Sequence, residues 1–353
     1  MDGIINVYKE KGYTSHDVVA RLRGITGERH IGHTGTLDPA AVGVLPVCLG
    51  MSTKICEILT DRSKTYETVL LLGIETDTED ATGSIVSCGD VSGITNDRLS
   101  EVISEFVGDI EQVPPMFSAI KVNGQKLYEL ARQGIDLERE KRRVHINSID
   151  IVSEPQFMKL GENHSYDFGD SLFNKYNDDE FNEKGRWQWN DGTIINEESS
   201  EISVCRVILR VDCEKGTYIR TLCADIGRRL GCGACMEKLL RTRVGEFTVE
   251  ESYKLKQIED VFKAYKVGSG DIPDTMLVST DRCFMMYPSL TSKEKYDSVL
   301  LNGNIMRFRH FSEYITEPEP KVRVYDSMHN FIAIYEWCAD KNYYKPLKMF
   351  RQT

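Results

Sequence analysis

The 353-residue sequence has little of what would mark a secreted or membrane protein. No uninterrupted apolar stretch approaches the roughly 18 residues that a membrane span requires. The N-terminal segment MDGIINVYKEKGYTS has neither a basic n-region nor an apolar h-region, so we expect no secretory signal. The ten cysteines are scattered along the chain rather than grouped in a framework of disulfides. Together these features predict a reduced, cytoplasmic protein that does not bind membranes.

Signatures of several catalytic classes are missing as well. The sequence contains no G-x-S-x-G elbow and no P-loop, which leaves serine hydrolases and P-loop nucleotidases without support. The segment GCGAC at 231–235 does not have the spacing of a dinucleotide-binding fingerprint. Its Cys-x-x-Cys pair, Cys232 and Cys235, has no second pair at zinc-finger spacing. We therefore expect neither a metal nor a cofactor.

The net charge of −11 argues at first against a nucleic-acid partner, since phosphate binding favours basic surfaces. The charge is unevenly distributed, however. Residues 153–202 hold twelve acidic and four basic residues, and they account for −8 of the total. Basic residues cluster at 121–143, which holds seven, and at 220–243, which holds six. Either cluster alone could be a solvated helix face, but the local charge leaves a nucleic-acid partner open.

Hydrophobic periodicity predicts an α+β fold, because strands and helices mix without a regular βαβ repeat. Strands are predicted at 4–9, 65–78, 118–122, 143–152 and 203–216. Helices are predicted at 14–27, with Thr14 or Ser15 as N-cap, at 95–108 with Thr95 as N-cap, and at 217–231. We also expect a polar helical hairpin at 124–142 and a strand-rich module from about residue 285.

Residues 153–202 break this pattern. They are rich in Asn, Asp, Glu, Gly and Ser and show no sustained period, which predicts a loop-forming insertion or a disordered segment. Aromatic residues, among them Phe173, Trp187 and Trp189, argue against disorder throughout.

The densest local pattern surrounds one carboxylate. Residues 30–46, HIGHTGTLDPAAVGVLP, contain three glycines and two histidines, and Asp38 is their only acid. A lone carboxylate can act as a covalent nucleophile towards an electrophilic carbon, as in glycosidases. The second acid that glycoside hydrolysis requires is not nearby in the sequence. Asp-Pro also commonly opens turns, so spacing alone favours a turn residue and leaves the catalytic interpretation open.

Five ordered blocks of the sequence resemble the tRNA pseudouridine synthase B (TruB) family. Residues 32–46 fit the pattern G-H-x-G-T-L-D-P-x-A-x-G-V-L-P of its catalytic loop. KEKGYTSHDVVARLR at 9–23 resembles the N-terminal K-P-x-G-x-T-S motif, with Glu10 in place of the proline. The other matching blocks are KTYE (64–67) with GIETDTEDATG (73–83), FSAIKVNGQKLYELARQGI (117–135), and KGTYIRTLCADIGRRLGCGA (215–234) with LLRTRVGEF (239–247).

The resemblance implies the pseudouridine synthase fold, in which helices flank a mixed, largely antiparallel sheet. The catalytic domain would span residues 1–250, with an RNA-gripping thumb insertion at about 117–143 and the acidic insertion at about 153–202. A linker and helix would follow at 251–284. Residues 285–353 would then form a small β-rich, PUA-like domain that binds RNA.

The resemblance also implies the reaction. Such enzymes convert uridine 55 in the T-loop of tRNA to pseudouridine: uracil is detached from the ribose, turned, and rejoined through carbon. Asp38 would be the essential carboxylate, acting on the ribose or on the base. Tyr66 would stack against the flipped uracil. Arg220 would pair with Asp38 and keep it ionised and oriented, although it could instead be a surface arginine on an amphipathic helix.

Further residues would bind the substrate by the same resemblance. Leu239 would line the base pocket, which does not exclude a core position. His33 would insert beside the displaced base, unless it only stabilises its loop. Gly32 would let the backbone approach the RNA. Lys64 and Lys121 complete the substrate-binding set.

The partner implied is therefore the T-arm of tRNA, bound by a monomer without an obligatory protein partner. Two alternatives stay open. One is a relative that is guided by RNA within a ribonucleoprotein, and the other is a non-catalytic chaperone that folds the tRNA elbow. The acidic insertion, where the family makes a short connection, should project away from the RNA, because its negative charge would repel phosphates.

Overall fold

The fold is known from a computed structural model that describes residues 1–118, 120–122, 124–131, 133–135, 137–160, 170–176, 187–190, 193 and 201–350. The strands are β1 (Gly3–Lys9), β2 (Ile31–His33), β3 (Val42–Leu49), β4 (Lys64–Leu72), β5 (Ile74–Thr76), β6 (Ile85–Cys88), β7 (Gly108–Gln112), β8 (Lys121–Val122), β9 (Gln125–Lys126), β10 (Arg142–Ile151), β11 (Gln156–Lys159), β12 (Ser203–Cys213), β13 (Ala234–Val244), β14 (Phe247–Thr248), β15 (Tyr253–Lys254), β16 (Ser289–Thr291), β17 (Lys321–Tyr325), β18 (Phe331–Cys338) and β19 (Tyr343–Met349). The α-helices are α1 (Ser15–Thr26), α2 (Cys56–Thr60), α3 (Asn96–Ser104), α4 (Leu127–Ala131), α5 (Phe173–Tyr176), α6 (Ile219–Leu230), α7 (Leu255–Lys266) and α8 (Asp297–Leu301).

A large mixed sheet organises the chain. Its strand order is β15-β1-β3-β13-β4-β12-β10-β7, with β2, β11 and β14 paired alongside. Most neighbours are antiparallel, and β1–β15 and β3–β13 are parallel. Helices lie between strands in the chain without a repeating βαβ unit, so the predicted α+β class is confirmed.

The two faces of this sheet bury different partners, because successive side chains of a strand point to opposite sides. We call the side that carries Tyr66 the front face. There, Leu70 of β4 and Leu209 of β12 pack in one core with residues of α3 and α6. On the opposite side, the back face, Val69 and Ile208 pack with Phe173. At the other end of the sheet, β1 and β3 bury a separate core against α1 and α7.

The helix caps follow the predicted chemistry. Thr14 caps α1: its side chain accepts from the backbone N–H of Asp17, and the Asp17 carboxylate accepts in return from the backbone N–H of Thr14. Gly27 ends this helix in a left-handed conformation, with φ of 78°. The Thr95 side chain caps α3 by accepting from the backbone N–H of Arg98, and α3 ends at Ser104, sooner than predicted. The helix predicted at 217–231 is α6.

The predicted helical hairpin at 124–142 is wrong for the described residues. They form β9, which pairs with β8, and the single short helix α4. The reason is local: Gly124 takes φ of 86° in a turn, and Val122 pairs with Gln125 in a two-stranded ribbon. Gly134, with φ of 72°, then prevents the helix from continuing.

The parts of the acidic insertion that are described pack into the protein. Phe173 is 2% exposed and lies in the back-face core. Trp187 is also 2% exposed and packs with Leu71 and Val204 on the same face. Trp189 pairs with Ile85 in an isolated β-bridge. Of the two alternatives, the disordered segment is wrong at these positions, because their aromatic side chains bury enough apolar surface to order the backbone.

A buried carboxylate fixes this packing. Glu67 of β4 is fully buried on the back face and accepts hydrogen bonds from Ser171 Oγ at 2.6 Å and from the backbone N–H of Leu172 at 2.8 Å. Arg210 of β12 donates to its other oxygen at 2.7 Å. Since a buried charge needs such partners, residues 171–172 are part of the hydrogen-bonded structure beneath β4.

Near the C-terminus, β16, β17, β18 and β19 form a separate four-stranded sheet with its own apolar core. This agrees with the strand-rich character expected there, while RNA binding by this region stays a prediction. Among the described residues, no helix combines the length and apolarity needed to cross a membrane.

We expect Phe173→Ala to destabilise the protein by about 3 kcal/mol or more, because it leaves a cavity in the back-face core. Denaturant unfolding measures this change. The matched control is Phe157→Ala on β11, where the ring is 54% exposed, and the expected change is within about 0.5 kcal/mol. Equal stabilities for the Phe173→Ala variant and the unaltered protein would show that the insertion does not contribute to the core.

Candidate active site

The loop that carries Asp38 is anchored at both ends. Before it, Thr34 is fully buried, and its backbone N–H donates to the carbonyl of Pro46 at 3.1 Å. At its centre, Ser15 Oγ accepts from the backbone N–H of Leu37 at 3.0 Å. Beyond it, the backbone N–H of Ala41 donates to the carbonyl of Asp38 at 3.1 Å, which closes a turn. The loop therefore presents Asp38 from a fixed backbone, as a site of directed chemistry requires.

Arg220 meets Asp38 from the first turn of α6. Its Nε lies 3.1 Å from Asp38 Oδ2, and its Nη1 lies 3.6 Å from Asp80 Oδ2. Its Nη2 donates to the carbonyl of Phe117 at 2.8 Å. The Arg220 side chain is 6% exposed, so the surface alternative is wrong. A cation in the first turn opposes the helix dipole, and the two carboxylates compensate for this.

Asp80 is itself held rigidly. Its Oδ1 accepts from the Thr78 hydroxyl and from the backbone N–H of Thr82, both at 2.9 Å. Its Oδ2 is left to face Arg220. Asp80 thus faces the guanidinium at a different nitrogen from the one that Asp38 contacts.

Burial raises the pKa of the Asp38 carboxyl above its ordinary value. The Arg220 guanidinium opposes this rise, the Asp80 carboxylate adds to it, and the Lys9 ammonium opposes it weakly. Arg220 therefore acts in the expected direction, but burial outweighs it. The Asp38 side chain is still 40% exposed, so the carboxylate can be reached from outside.

Strand pairing places the two apolar members of the site. Tyr66 of β4 is the cross-strand partner of Arg241, and Leu239 is the partner of Thr68. Tyr66 and Leu239 are each 8% exposed, and both belong to the front-face core that also includes Leu37, the neighbour of Asp38. The structure therefore brings Asp38, Tyr66, Arg220 and Leu239 into one region of the front face. Leu239 is both a core residue and a neighbour of the site.

Two lysines lie buried near this region. Lys9 Nζ donates to the carbonyls of Tyr13 at 2.7 Å and Pro39 at 3.3 Å, and burial lowers the pKa of Lys9 to about 8. Lys64 Nζ donates to the carbonyls of Thr60 and Arg62, both at 2.6 Å, and burial lowers its pKa to about 8 as well. The described bonds of the Lys64 ammonium are made within the protein, so its role in substrate binding stays a prediction.

The remaining predicted residues lie at the edges of the site. His33 ends β2, its ring centroid lies 5.4 Å from that of His16 in an edge-on arrangement, and burial lowers the pKa of His33. At Gly32, a Cβ would come within 2.9 Å of Cys56 Sγ, so glycine is needed there for packing. Lys121 lies on β8, and its side chain is outside the described part of the structure.

Sequence reasoning missed two residues of the site, Asp80 and Arg241. Asp80 lies in the recognised block GIETDTEDATG, and Arg241 lies in LLRTRVGEF. Only their position in these two matching blocks could have indicated them. Their contacts with Arg220 and Tyr66 join residues that are far apart in the sequence. Within the described residues, no group of three or more His, Cys, Asp or Glu side chains could hold a metal ion.

A cavity of about 450 Å³ adjoins the site without containing Asp38. Its walls include Thr78 and Phe117, whose carbonyls accept from Arg220, and Ile135 and Arg139 of the segment that follows α4. The described thumb residues therefore leave open space next to the Asp38–Arg220 pair.

Comparison with known proteins agrees with this arrangement. Residues 23–162 match the family described as TruB family pseudouridylate synthase (N terminal domain), and residues 220–284 match the tRNA pseudouridylate synthase B C-terminal domain. A protein of Lachnoclostridium phytofermentans named tRNA pseudouridine synthase B is 45% identical over 353 residues, covering 99% of this chain and 100% of the relative. Its namesake in Clostridium perfringens is 37% identical over 335 residues, covering 95% and 94%.

Solved structures share the fold at lower identity. A Cbf5-Nop10-Gar1 complex contains a chain that superposes with a TM-score of 0.62 and 23% identity, covering 99% of this chain and 85% of the other. An H/ACA RNP bound to a substrate RNA containing 2'-deoxyuridine gives a TM-score of 0.62 at 20% identity, with the same coverages. The architecture is thus the pseudouridine synthase fold.

The relatives that match almost the whole chain share one name, which identifies one family within the proteins of this fold. The chain belongs to the TruB family of pseudouridine synthases.

The raised pKa of Asp38 leads to a pH prediction. If Asp38 acts ionised, activity falls as the pH drops through this raised pKa, which lies above the usual range of an aspartate. The Asp80 carboxylate raises the pKa of Asp38 and offsets part of the positive charge of Arg220. Asp80→Asn removes both effects. The acid limb of the rate should therefore move to lower pH, even though the rate itself falls.

The measurement is the single-turnover rate across the acid range. Asp77→Asn serves as control, because Asp77 is exposed in the same loop and its Oδ1 accepts from the backbone N–H of Ser84. An acid limb that stays fixed in Asp80→Asn, or that moves equally in Asp77→Asn, would contradict this electrostatic account.

Proposed function

We propose that this chain is a tRNA pseudouridine synthase that isomerises uridine 55 in the T-loop. The glycosidic C–N bond is exchanged for a C–C bond within one nucleotide. The relatives of highest identity reported above are named tRNA pseudouridine synthase B, which supports tRNA as the substrate. An isomerisation consumes no second substrate, so the reaction needs no redox or group-transfer cofactor.

The observation that carries this proposal is the pairing of Asp38 with Arg220 at 3.1 Å beside an aromatic and an aliphatic side chain. A carboxylate that is oriented by a buried guanidinium suits attack on a ribose or a pyrimidine ring, or removal of a ribose proton. Each of these routes uses Asp38 in its ionised form, which Arg220 favours.

Access to the uracil requires the nucleotide to leave its stack, because the reacting atoms are covered inside the folded T-loop. Tyr66 would then stack on the base, a contact of about 1–3 kcal/mol. Leu239 would form the apolar wall, and His33, which burial keeps towards its neutral form, would occupy the space that the base vacates. The pair Asp38 and Arg220 would face the glycosidic bond.

The charges of the surrounding surface fit an RNA partner. The described part of the acidic insertion, including Phe173 and Trp187, packs on the back face, opposite Asp38 and Tyr66. The described part of the insertion therefore lies away from the face that we propose to contact the phosphates, which supports the expectation that the insertion projects away from the RNA. Gly32, Lys64 and Lys121 complete the proposed substrate-binding set, with Lys121 on the thumb.

We further propose that the protein works in the cytoplasm as a monomer without an obligatory protein partner. The shared fold of the Cbf5 complexes leaves a guided mechanism to be tested directly. Incubating the purified protein alone with an unmodified T-arm hairpin separates these cases, because a guided enzyme would give no product without its RNA and protein partners.

The test of the proposal is to map the isomerised base in that hairpin. We expect pseudouridine at the T-loop uridine, and no product from a hairpin that carries cytidine there. Isomerisation at another position, or none, would refute the assignment.

Asp38→Asn should bind the hairpin with an affinity similar to that of the unaltered protein and should form no detectable product. The substitution preserves shape and removes the charge, and binding relies mainly on phosphate contacts elsewhere. Filter binding and single-turnover mapping measure the two quantities separately. Surviving turnover would refute the catalytic role of Asp38, and binding without turnover in the unaltered protein would favour the chaperone alternative.

A further inference from the structure

A second arginine of the front face is buried, and among the described residues it forms no ion pair with a carboxylate. Arg241 is 1% exposed and is among the largest fully buried side chains of the described structure. Burial lowers the pKa of Arg241, and the nearby hydroxyl of Tyr66 opposes this shift. Arginine is rarely buried completely unless it is paired, since removing its charge from water is costly. The hydrogen bonds of the Arg241 guanidinium must therefore offset the cost of its burial.

Those bonds join three separate segments. Arg241 Nε donates to the carbonyl of Val44 on β3 at 2.7 Å, and Nη2 reaches the carbonyl of Gly35 at 3.4 Å. Gly35 lies three residues before Asp38 in the catalytic loop. The guanidinium also lies close enough to the hydroxyl of Tyr66, its cross-strand partner, to oppose the rise in the pKa of Tyr66 that burial causes.

The backbone is built to allow this contact. Arg241 on β13 is paired in parallel with Gly43 on β3. A Cβ at Gly43 would lie 2.2 Å from the Arg241 carbonyl oxygen, and Gly43 has φ of 109°, which favours glycine. The close approach of these strands brings the guanidinium beneath the loop that leads to Asp38.

We propose that Arg241 is a positioning residue. It fixes the position of the Tyr66 ring relative to the Asp38 loop, so that both contact the same nucleotide. This inference rests on the proposed function. The guanidinium donates to the backbone on both sides of the Asp38 loop, and its charge favours an orientation of Tyr66 in which the hydroxyl oxygen faces it. Its planar fork reaches acceptors on several sides at once, which a lysine ammonium at the end of a flexible stem cannot do.

The experiment compares single-turnover isomerisation and hairpin affinity in Arg241→Met, Arg241→Lys and the unaltered protein. Misplacement of a reacting group by about 1 Å can cost about 100-fold in rate, so we expect a loss of that order in Arg241→Met, with affinity within about threefold. Arg241→Lys keeps the charge and should lose about tenfold in rate, because fewer of the bonds can form.

A double-mutant cycle with Tyr66 tests the positioning role itself. Tyr66→Phe removes the hydroxyl that interacts with the Arg241 guanidinium, so Arg241→Met should cost much less in the Tyr66→Phe background than in the unaltered protein. A residue that only stabilises the fold would give the same loss in both backgrounds.

Arg206→Met is the matched control for a lost buried arginine. Arg206 is 7% exposed on the back face, where its Nε lies 2.5 Å from Glu237 Oε2. This variant should melt at a lower temperature and keep its single-turnover rate within about twofold, because it removes no contact of the site.

The outcomes separate the inference from the proposed function. If the unaltered protein forms no pseudouridine, the proposed function fails, and this inference fails with it. If the unaltered protein is active, the inference is overturned by an Arg241→Met rate equal to that of Arg206→Met, by a loss confined to affinity, or by equal losses in both Tyr66 backgrounds. Should Arg241→Met not fold, a rate for Arg241→Lys equal to that of the unaltered protein would overturn it.

Discussion

The contact between Arg220 and Asp38 is the interaction on which the front face depends. Arg220 is buried at the start of a helix, where a cation is disfavoured, and it is stabilised there by two carboxylates and two carbonyls. These partners belong to the Asp38 loop, the 76–83 loop and the base of the thumb. One guanidinium therefore connects the Asp38 loop to two of the segments that line the adjoining cavity.

The two faces of the central sheet carry different features: the proposed site on the front, and a buried carboxylate with the ordered part of the insertion on the back. Its front face gathers Asp38, Tyr66, Arg220 and Leu239, whereas its back face buries Glu67 with its partners and the ordered aromatic residues of the acidic insertion. Tyr66 and Glu67 are neighbours on one strand and point to opposite sides. The described aromatic residues of the insertion thus support the strand that carries Tyr66 from the side opposite the Asp38 loop.

Local chemistry made much of the fold predictable. Thr14, Gly27 and Thr95 fix helix ends through bonds that span only a few residues, and alternating apolar residues indicated the central strands. The Asp38–Arg220 pair crosses 182 positions of the sequence, and only the resemblance to a known family predicted it. The same limit hid Arg241, whose contacts depend on strand register, and Glu67, two of whose partners, Ser171 and Leu172, lie in a segment with no periodic pattern. The helical hairpin failed because two glycines with positive φ redirect a polar segment that composition alone favours as helix.

The most direct test of the account is a structure of the protein bound to an unmodified T-arm hairpin. The account predicts that the target uridine leaves the loop and stacks on Tyr66, with the Asp38 carboxylate within about 4 Å of the nucleoside and still paired with Arg220. A uridine that remains stacked in the T-loop, or a bound nucleotide that contacts neither Asp38 nor Tyr66, would contradict it.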